Sequence, residues 1–525
     1  MKTIVPAGHF RGVLPVLLFG TIVLVYEPLA SFPYVQDDWG ILRTLTFTPI
    51  GRFIADACTP AGDLFYRPLP LIYFSLLYGL GGLCAPLFHS LSLLALAFAS
   101  FLVVDVGNRL TGNTVAGWGA GFLFATAATV HLDTQMWLVG MYDIGAVLFA
   151  LLSVSLLLRD RNTASAFSLA AALGCKEAAI SLPLILVILW YAVVRAPGEG
   201  GTGKALWGRF RIHAAVFTLY AAARSGAPFI VTLPASHPYA HQLTFGNVLD
   251  NARLYAYRSI EALGPFKSAD PAGHAMMTAG GLLIVGVTLG VLLAALRAAT
   301  GGTRARRCCI IVALVSWAAL VMVLPVLLGS MHNAYYLLSA LPPLALAVTS
   351  AAQMLVSRLG TRTLFSAIII ALAAANAVDG SMFIRRKVGL GQDDGRHAQS
   401  WDGDNHLVRK AGVVRVVWKP LLAIAPGVPP HSVFLFPGID TRTFQDAAGP
   451  QSWYRDSTLR VAALNPGYTV RDGRISLLFP PGDPANGSGK PMVEAVDMER
   501  ILVFRLASDS LLQVPLGEFL RGENP

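Results

Sequence analysis

The stretch that decides the fold is residues 10–40, which read FRGVLPVLLFGTIVLVYEPLASFPYVQDDWG. Its first part, residues 10–28, is long and apolar enough to cross a bilayer as a helix, for which about 20 mostly apolar residues are needed. Its second part ends in two adjacent carboxylates, Asp37 and Asp38, which are costly so close to lipid. The stretch therefore predicts a membrane-spanning helix followed by a loop that carries chemistry.

Apolar segments of this kind recur along most of the chain. Of the 525 residues, 54% are hydrophobic and only 13% are charged, and the mean hydropathy is +0.58. A typical soluble domain has about a quarter charged residues, so this composition excludes a soluble globular enzyme and a disordered chain. We predict an all-α polytopic membrane protein with about eleven transmembrane helices. They lie near residues 10–28, 85–105, 113–130, 136–158, 163–175, 178–195, 211–233, 275–297, 308–329, 334–356 and 363–383.

The basic residues gather on one side of this predicted topology. Up to residue 383 the chain holds 23 Lys and Arg, and 15 of them fall on the cytoplasmic side if the N-terminus is inside. Only 3 of the 15 acids in the same part of the chain fall there. Cytoplasmic loops of membrane proteins are enriched in Lys and Arg, which predicts a cytoplasmic N-terminus. The net charge of +10 is then mostly an orientation signal, and we expect no nucleic-acid partner.

The composition changes near residue 384. Residues 384–525 hold the other 15 acids and 17 basic residues, and turn signals separate their short apolar stretches. The clearest of these stretches are Val413–Trp418, Ser432–Phe436, Ile475–Phe479 and Ile501–Leu506. Because eleven spans that start inside end outside, we predict a membrane domain over residues 1–383 and a small extracytoplasmic domain, α/β or β-rich, over residues 384–525.

Two neighbouring carboxylates such as Asp37 and Asp38 are suited to acid–base chemistry. A carboxylate within reach of a hydroxyl or an amide assists its attack by taking a proton. Its charged neighbour, together with partial burial, raises the pKa of one of the two. The alternative interpretation is a helix cap or a solvated interfacial pair, and the motif alone favours that alternative.

The same loop continues through Phe65-Tyr66-Arg67-Pro68-Leu69-Pro70. The apolar stretch at residues 69–83 is too short and too glycine-broken for a span, and we predict a helix that lies along the membrane interface. His89 then opens the second span. The alternatives are that Arg67 only anchors a helix end and that His89 is a packed core histidine.

Further polar residues follow in a fixed order. Lys176 and Arg224 fall near or inside apolar segments, where a charge is by default a hypothesis of function. The alternative for Lys176 is an ion pair with Glu177 or Asp143, although adjacent residues on a helix do not face each other. The motifs are His131-Leu132-Asp133 with Trp137, Met141-Tyr142-Asp143, Cys175-Lys176-Glu177, the segment Tyr220–Arg224, and His332-Asn333-Ala334-Tyr335-Tyr336.

Taken together and in this order, these motifs resemble the GT-C glycosyltransferases, in particular the membrane domain of the protein O-mannosyltransferase-like and tetratricopeptide O-mannosyltransferase-like members. The resemblance begins with the Asp-Asp-Trp motif at Asp37 and covers about residues 10–360. The chain departs from the family pattern after His89 and before Tyr335, and no tetratricopeptide repeats follow. These departures leave the sugar open.

The resemblance implies an enzyme that moves a sugar from a polyprenyl-phosphate carrier to an acceptor at the extracytoplasmic membrane face. It implies that Asp37 is the general base and that Asp38 lies beside it, orienting the acceptor or, in some members, binding a divalent metal. The lipid phosphate requires cations at membrane depth. The candidates are Lys176, Arg224 and Arg67. The other substrate-binding residues that the resemblance implies are His89, His131, Asp143, Glu177, His332 and Tyr335.

The partners that follow from this interpretation are a polyprenyl-phosphate-linked sugar, membrane lipids and a protein, glycan or lipid acceptor. A bacterial inner membrane is favoured over the endoplasmic reticulum. One alternative is a transporter or flippase of a lipid-linked sugar or envelope precursor, which often places its charges at the midplane of two related halves. Another is a polysaccharide ligase or polymerase, which needs its key residues in a large late loop. The acids of this chain cluster in external loops instead, which favours the glycosyltransferase.

Overall fold

The structure is a computed structural model, and its apolar segments form a helical bundle. Nineteen α-helices lie in the residues that it describes, which are 10–60, 65–194, 203–225, 240–267, 273–298, 302–329, 333–357, 362–390, 406–464, 468–480, 491–507 and 510–522. The helices are α1 (Phe10–Tyr26), α2 (Asp37–Phe47), α3 (Ile50–Cys58), α4 (Pro68–Gly81), α5 (Ala85–Thr111), α6 (Thr114–Ala125), α7 (Ala128–Met136), α8 (Met141–Leu157), α9 (Asn162–Cys175), α10 (Leu182–Leu189), α11 (Gly203–Arg224), α12 (Phe245–Leu263), α13 (Gly273–Ala298), α14 (Gly302–Val326), α15 (Leu341–Ser357), α16 (Arg362–Leu390), α17 (His406–Ile424), α18 (Ala448–Tyr454) and α19 (Leu516–Arg521).

Each of the eleven predicted apolar segments overlaps at least one of these helices, and their length and apolarity identify an integral membrane protein. Five described helices are long and apolar enough to cross a membrane, or six if the bent pair α6–α7 is one span. The number of spans therefore stays a prediction. The helix α16 continues to Leu390, beyond the predicted domain boundary, and includes the basic run that begins at Arg385.

The segment predicted as one span at residues 113–130 is broken. The helices α6 and α7 meet at an angle of 52°, which interrupts the regular helical hydrogen-bond pattern between them. The hydroxyl of Tyr26 donates to the carbonyl of Ala125 over 2.9 Å, and Nε2 of His131 lies 2.7 Å from the carbonyl oxygen of Phe124. At the other end of α7, Nδ1 of His89 lies 2.8 Å from the carbonyl oxygen of Gln135. Buried side chains therefore satisfy the backbone groups that the break exposes.

The loop between the first two long helices is itself helical. It forms α2, which begins at Asp37, then α3, and then α4, which confirms the helix predicted at residues 69–83. Pro68 at the start of α4 fits the first helical turn, where its missing N–H has no partner to lose. The loop therefore places Asp37 and Arg67 each at the N-terminal end of a helix.

The C-terminal part contains a mixed sheet in the order β3-β4-β2-β1-β6-β7, with β5 pairing with β4. The central strand β1 runs parallel to β2 and β6, and Phe434 is in register with Val461 and Leu502. The apolar stretch Val413–Trp418 lies inside the helix α17 and not in the sheet. The strands are β1 (Val433–Leu435), β2 (Arg460–Leu464), β3 (Val470–Arg471), β4 (Arg474–Phe479), β5 (Met492–Asp497), β6 (Ile501–Ala507) and β7 (Ser510–Val514).

The two faces of this sheet belong to different cores. One face carries Val433, Ile475 and Phe479 into a small core of its own. The other face carries Phe434 and Phe504 into a core that continues without interruption into the helical bundle. The C-terminal domain is therefore packed onto the membrane part through a shared apolar core.

Candidate active site

A cavity of about 340 Å³ opens between the first-loop helices and the bundle. Segments distant in sequence close it: the start of α2, the residues before α4, the turn between α7 and α8, the break between α9 and α10, and the end of α14. Its charged or titratable lining residues are Asp37, Arg67, Asp133, Asp143, Lys176, Glu177 and His241. Its aromatic lining residues are Phe65, Trp137, Tyr142, Tyr335 and Tyr336.

Arg67 is held in this cavity by a two-point ion pair with Glu177. Its Nε donates to Oε2 of Glu177 over 3.0 Å, and its Nη2 donates to Oε1. The guanidinium carbon lies 4.1 Å from the ring centroid of Phe65 and 5.0 Å from that of Tyr142. Burial opposes the charged guanidinium, but the carboxylate of Glu177 outweighs it and raises the pKa of Arg67 above its ordinary value. Arg67 is therefore a fixed, charged donor with planar geometry.

Lys176 forms the second ion pair of the cavity, with Asp143. Its Nζ lies 2.6 Å from Oδ1 of Asp143, and both side chains are nearly buried. The backbone of Lys176 is extended and ends α9, so the chain breaks where this side chain enters the cavity. The ammonium lies 5.2 Å from the ring centroid of Tyr335 and 5.5 Å from that of Tyr336. Of the two ion pairs that the sequence allowed for Lys176, the one with Asp143 forms, and it leaves the ammonium at the cavity wall.

Asp37 and Asp38 have opposite environments although they are adjacent. Asp37 is exposed to the cavity, and the surrounding protein desolvates its carboxylate and raises its pKa, an effect that Lys410 partly offsets. Asp38 is fully buried and accepts hydrogen bonds from the amides of Val35, over 3.0 Å, and Val139, over 3.4 Å. Desolvation also raises the pKa of Asp38 well above its ordinary value. Asp37 is thus available to a ligand, whereas Asp38 ties the loop to the start of α8.

Six of the eleven predicted site residues line the cavity: Asp37, Arg67, Asp143, Lys176, Glu177 and Tyr335. Besides Asp38, three others do not. His89 and His131 are buried and contact the backbone carbonyls of Gln135 and Phe124, so their predicted substrate contact stays a prediction. Arg224 is the last residue of α11. It interacts electrostatically with Tyr220, which also interacts with Glu177. His332 lies outside the described residues.

The structure adds functional candidates that were not assigned roles from the sequence. Asp133, Trp137 and Tyr142 belong to the quoted motifs, and all three line the cavity. The indole N–H of Trp137 has no hydrogen-bond partner within the described ranges, so it can donate to a bound ligand. Lys410 on α17 is a further candidate, because its charge lowers the pKa of Asp37. No local sequence pattern indicates this interaction, since Lys410 lies 373 positions after Asp37.

The described residues contain no group of three or more His, Cys, Asp or Glu side chains that are placed to share a metal ion. The arrangement that they do contain is two buried cations, each paired with a carboxylate, together with the carboxylates of Asp37 and Asp133 in a cavity walled by aromatic rings. The cations suit a phosphate and a carboxylate suits a proton acceptor.

The fold is similar to that of solved structures although the sequence is not similar to known families. No protein-family model matches the chain, and no curated protein matches it significantly. The crystal structure of ArnT from Cupriavidus metallidurans bound to undecaprenyl phosphate matches with a TM-score of 0.50 at 13% identity, over 87% of this chain and 86% of that one. The apo structure of the same ArnT matches with a TM-score of 0.37 at 12% identity, over 86% of each chain. The chain therefore has the GT-C-type fold of ArnT, as the motifs predicted.

Proposed function

We propose that this protein is a membrane glycosyltransferase that moves a sugar from a polyprenyl-phosphate carrier to an acceptor at the extracytoplasmic face. One observation carries the proposal: the cavity brings Asp37, Arg67 and Lys176 together from three distant segments. The fold shared with ArnT, whose structure holds undecaprenyl phosphate, supports the carrier class. The proposed topology has a cytoplasmic N-terminus and places the site and the C-terminal domain outside, in a bacterial inner membrane.

The proposed reaction is a displacement at the anomeric carbon of the donor sugar. The acceptor oxygen or nitrogen forms a bond to that carbon and loses its proton to Asp37. The bond between the anomeric carbon and the phosphate oxygen breaks, and its electron pair leaves with the polyprenyl phosphate. Arg67 and Lys176 stabilise the negative charge that develops on this leaving group. The acceptor is a protein, a glycan or a lipid.

The acids and the two cations of the cavity wall have different roles in this reaction. Glu177 and Asp143 hold the two cations in place before substrate arrives, so little reorganisation is needed when the phosphate binds. The aromatic walls shield the ion pairs from bulk water, which strengthens their interaction with a phosphate. Asp37 is exposed to the cavity whereas Asp38 is buried, which is why Asp37 is assigned the proton transfer.

The experiment that tests the function is a transfer assay with purified protein against a panel of polyprenyl-phosphate sugars. Wild-type protein should release polyprenyl phosphate and form a glycosylated acceptor with one of them. The Asp37→Asn variant should lose roughly 10²–10⁴-fold in rate, the usual contribution of a general base. Its matched control is Asp56→Asn, because Asp56 is exposed on α3 and pairs only with Arg52 in the described contacts. A folded Asp37→Asn variant that transfers at the wild-type rate contradicts the assignment.

The same assay separates the glycosyltransferase from a transporter or flippase. A flippase moves the labelled lipid-linked sugar across a proteoliposome membrane and leaves its sugar–phosphate bond intact. A transferase cleaves that bond. Repeating the assay after dialysis against EDTA tests whether transfer requires a divalent metal.

A further inference from the structure

The helix that carries Asp37 is held from two sides. On the side of the helical bundle, the buried carboxylate of Asp38 accepts hydrogen bonds from Val35 and from Val139 at the turn before α8. On the opposite side, α2 lies against the C-terminal domain. The position of Asp37 at the cavity wall therefore depends on both contacts.

Hydrogen bonds connect α2 and the residue before it to the C-terminal domain. The amide of Gln36 donates to the carbonyl of Thr443 over 2.7 Å, and Gln36 has a φ of 55°, which side-chain-bearing residues rarely adopt. In the second turn of α2, Nε of Arg43 donates to Oε1 of Gln451 on α18. Gln451 is fully buried, and its amide group donates to the carbonyl of Leu459 over 2.6 Å. The partner of Arg43 is therefore fixed within its own domain.

Three indole rings form the apolar part of the same contact. Trp39 on α2 is fully buried, and its ring centroid lies 5.0 Å from that of Trp418 and 5.4 Å from that of Trp453. The rings of Trp418 and Trp453 stack with an interplanar angle of 11°. Trp39 thus meets both rings almost at right angles, which is a favourable geometry for aromatic rings. Its indole N–H donates to the carbonyl of Tyr34 over 3.1 Å, which fixes the ring relative to the loop.

The backbone of α2 approaches the C-terminal domain closely at Gly40. A Cβ atom at this position would meet Oε1 at the end of the Gln445 side chain, which would have to shift to make room. Together with the shared core, these contacts make the C-terminal domain a structural neighbour of the proposed base.

We propose that the C-terminal domain is the positioning unit for Asp37, and that the contact between Arg43 and Gln451 fixes the start of α2 at the cavity wall. The inference rests on the proposed function for its catalytic consequence, but not for its structural one. Arg43 and Gln451 are positioning residues, because neither lines the cavity. Two charges of the C-terminal domain also reach the loop: Lys410 acts on Asp37, and Arg415 lies 5.7 Å from the ring centroid of Phe32.

The test compares Arg43→Met with Arg52→Met in the full-length protein in nanodiscs. Both changes remove one guanidinium from the first loop, but Arg52 is exposed on α3 and pairs only locally with Asp56 in the described contacts. Hydrogen exchange of residues 36–47 measures how firmly α2 is held, independently of catalysis. We expect faster exchange there in Arg43→Met alone, with unchanged exchange in the sheet strands as the control for folding.

The kinetic readout separates positioning from a general loss of structure. A misplaced base lowers kcat, and a displacement of about 1 Å costs as much as roughly 100-fold. Donor KM should change by less than about twofold, because Arg67 and Lys176 are not attached to α2. A kcat for Arg43→Met equal to that of wild type overturns the proposal, and so does unchanged exchange in α2. If wild-type protein transfers no sugar, the proposed function fails, while the exchange result still decides whether the domain holds α2.

Discussion

The helix α8 has an ion pair at its first turn and an ion cluster near its last turn. The surroundings of these two sites differ. In its first turn, Asp143 pairs with Lys176, and the exposed fractions of the two side chains are only 11% and 10%. Near its last turn, Ser155 donates to Asp105 over 2.6 Å, and Asp105 also pairs with Arg109 and Arg159. Both sites pair a carboxylate with a basic side chain.

The difference between the two sites lies in burial and in open space. The Asp143 site faces the cavity, so a ligand can reach its cation. The cations of the Asp105 site are 36% and 43% exposed, neither lines that cavity, and solvent screens their charges. An ion pair in a membrane protein is therefore a candidate for function when it borders an enclosed space, and an anchor when it borders solvent. Substitutions at the two ends of α8 test this distinction.

Among the substitutions at the two ends of α8, the largest effect is expected for Lys176→Met. The change removes a cation from the proposed phosphate site and leaves the buried carboxylate of Asp143 without its partner. Loss of one such charge-stabilising group typically costs about 10²–10³-fold in rate. The rate of sugar transfer and the binding of undecaprenyl phosphate alone should both fall. Arg159→Met is the matched control at the other end of α8, and equal losses in the two variants would erase the distinction.

A smaller effect is expected for Arg67→Lys, which keeps the charge and removes the planar two-point geometry. Two parallel hydrogen bonds to Glu177 cannot form from one ammonium, and the rate should fall by about tenfold, equivalent to roughly 1.4 kcal/mol. The donor KM should rise more than the acceptor KM.

Arg224→Ala should have a weaker effect than Arg67→Lys, because Arg224 lies outside the cavity lining. The reverse order in the same assay would remove Arg67 from the phosphate site.

The helical segments and the cavity residues on them were predictable from the sequence for a physical reason. Lipid requires long apolar segments, so they stand out, and a charge retained among them, such as Lys176, is costly enough to indicate function. Asp37 and Arg67 were found because they lie in a short loop beside such segments. The local pattern around each of these residues carries the information.

The histidines show what this reasoning cannot distinguish. A buried histidine that satisfies the carbonyls of a broken helix and one that binds a substrate have the same sequence context. In the structure, His131 contacts the carbonyl of Phe124 at the break between α6 and α7, and His89 contacts that of Gln135 at the other end of α7. No proline lies at the break between α6 and α7, so the sequence does not mark its position.

Long-range packing hides other features from local sequence patterns. The stretch Val413–Trp418 is rich in β-branched residues and favours a strand locally, yet Val414, Val417 and Leu421 bury one face of a helix. Tertiary burial thus overrides local propensity. Lys410 precedes this stretch on the same helix, so its effect on Asp37 was equally hidden.

A pH-dependent effect is expected for Lys410→Met. Its positive charge lowers the pKa of Asp37, which desolvation otherwise raises. Removing the charge should raise that pKa, so the acid limb of the kcat/KM profile should move to higher pH, because the base must be deprotonated. The other charged or titratable neighbours, Asp38 on α2 and Tyr142 on α8, are unchanged in the variant.

The control for this shift is Lys419→Met, which removes the same charge from an exposed position on α17. At a pH well above the acid limb, Lys410→Met should transfer at a rate close to that of wild type. A profile that superimposes on the wild-type profile at every pH would show that Lys410 does not act on the base.

The smallest effect is expected for Asp105→Asn, and it completes the comparison of the two ends of α8. The carboxylate accepts from Ser155 and pairs with Arg109 and Arg159, but it is 26% exposed and its partners are more exposed still. Solvent-screened pairs contribute about 0–1 kcal/mol, so the variant should lose at most about that much in its free energy of unfolding. Its transfer rate and donor KM should equal those of wild type, because the change leaves Asp143 and the cavity untouched. A transfer defect without a loss of stability would mean that the two ends of α8 are coupled, and that an exposed ion cluster in this fold is part of the catalytic machinery.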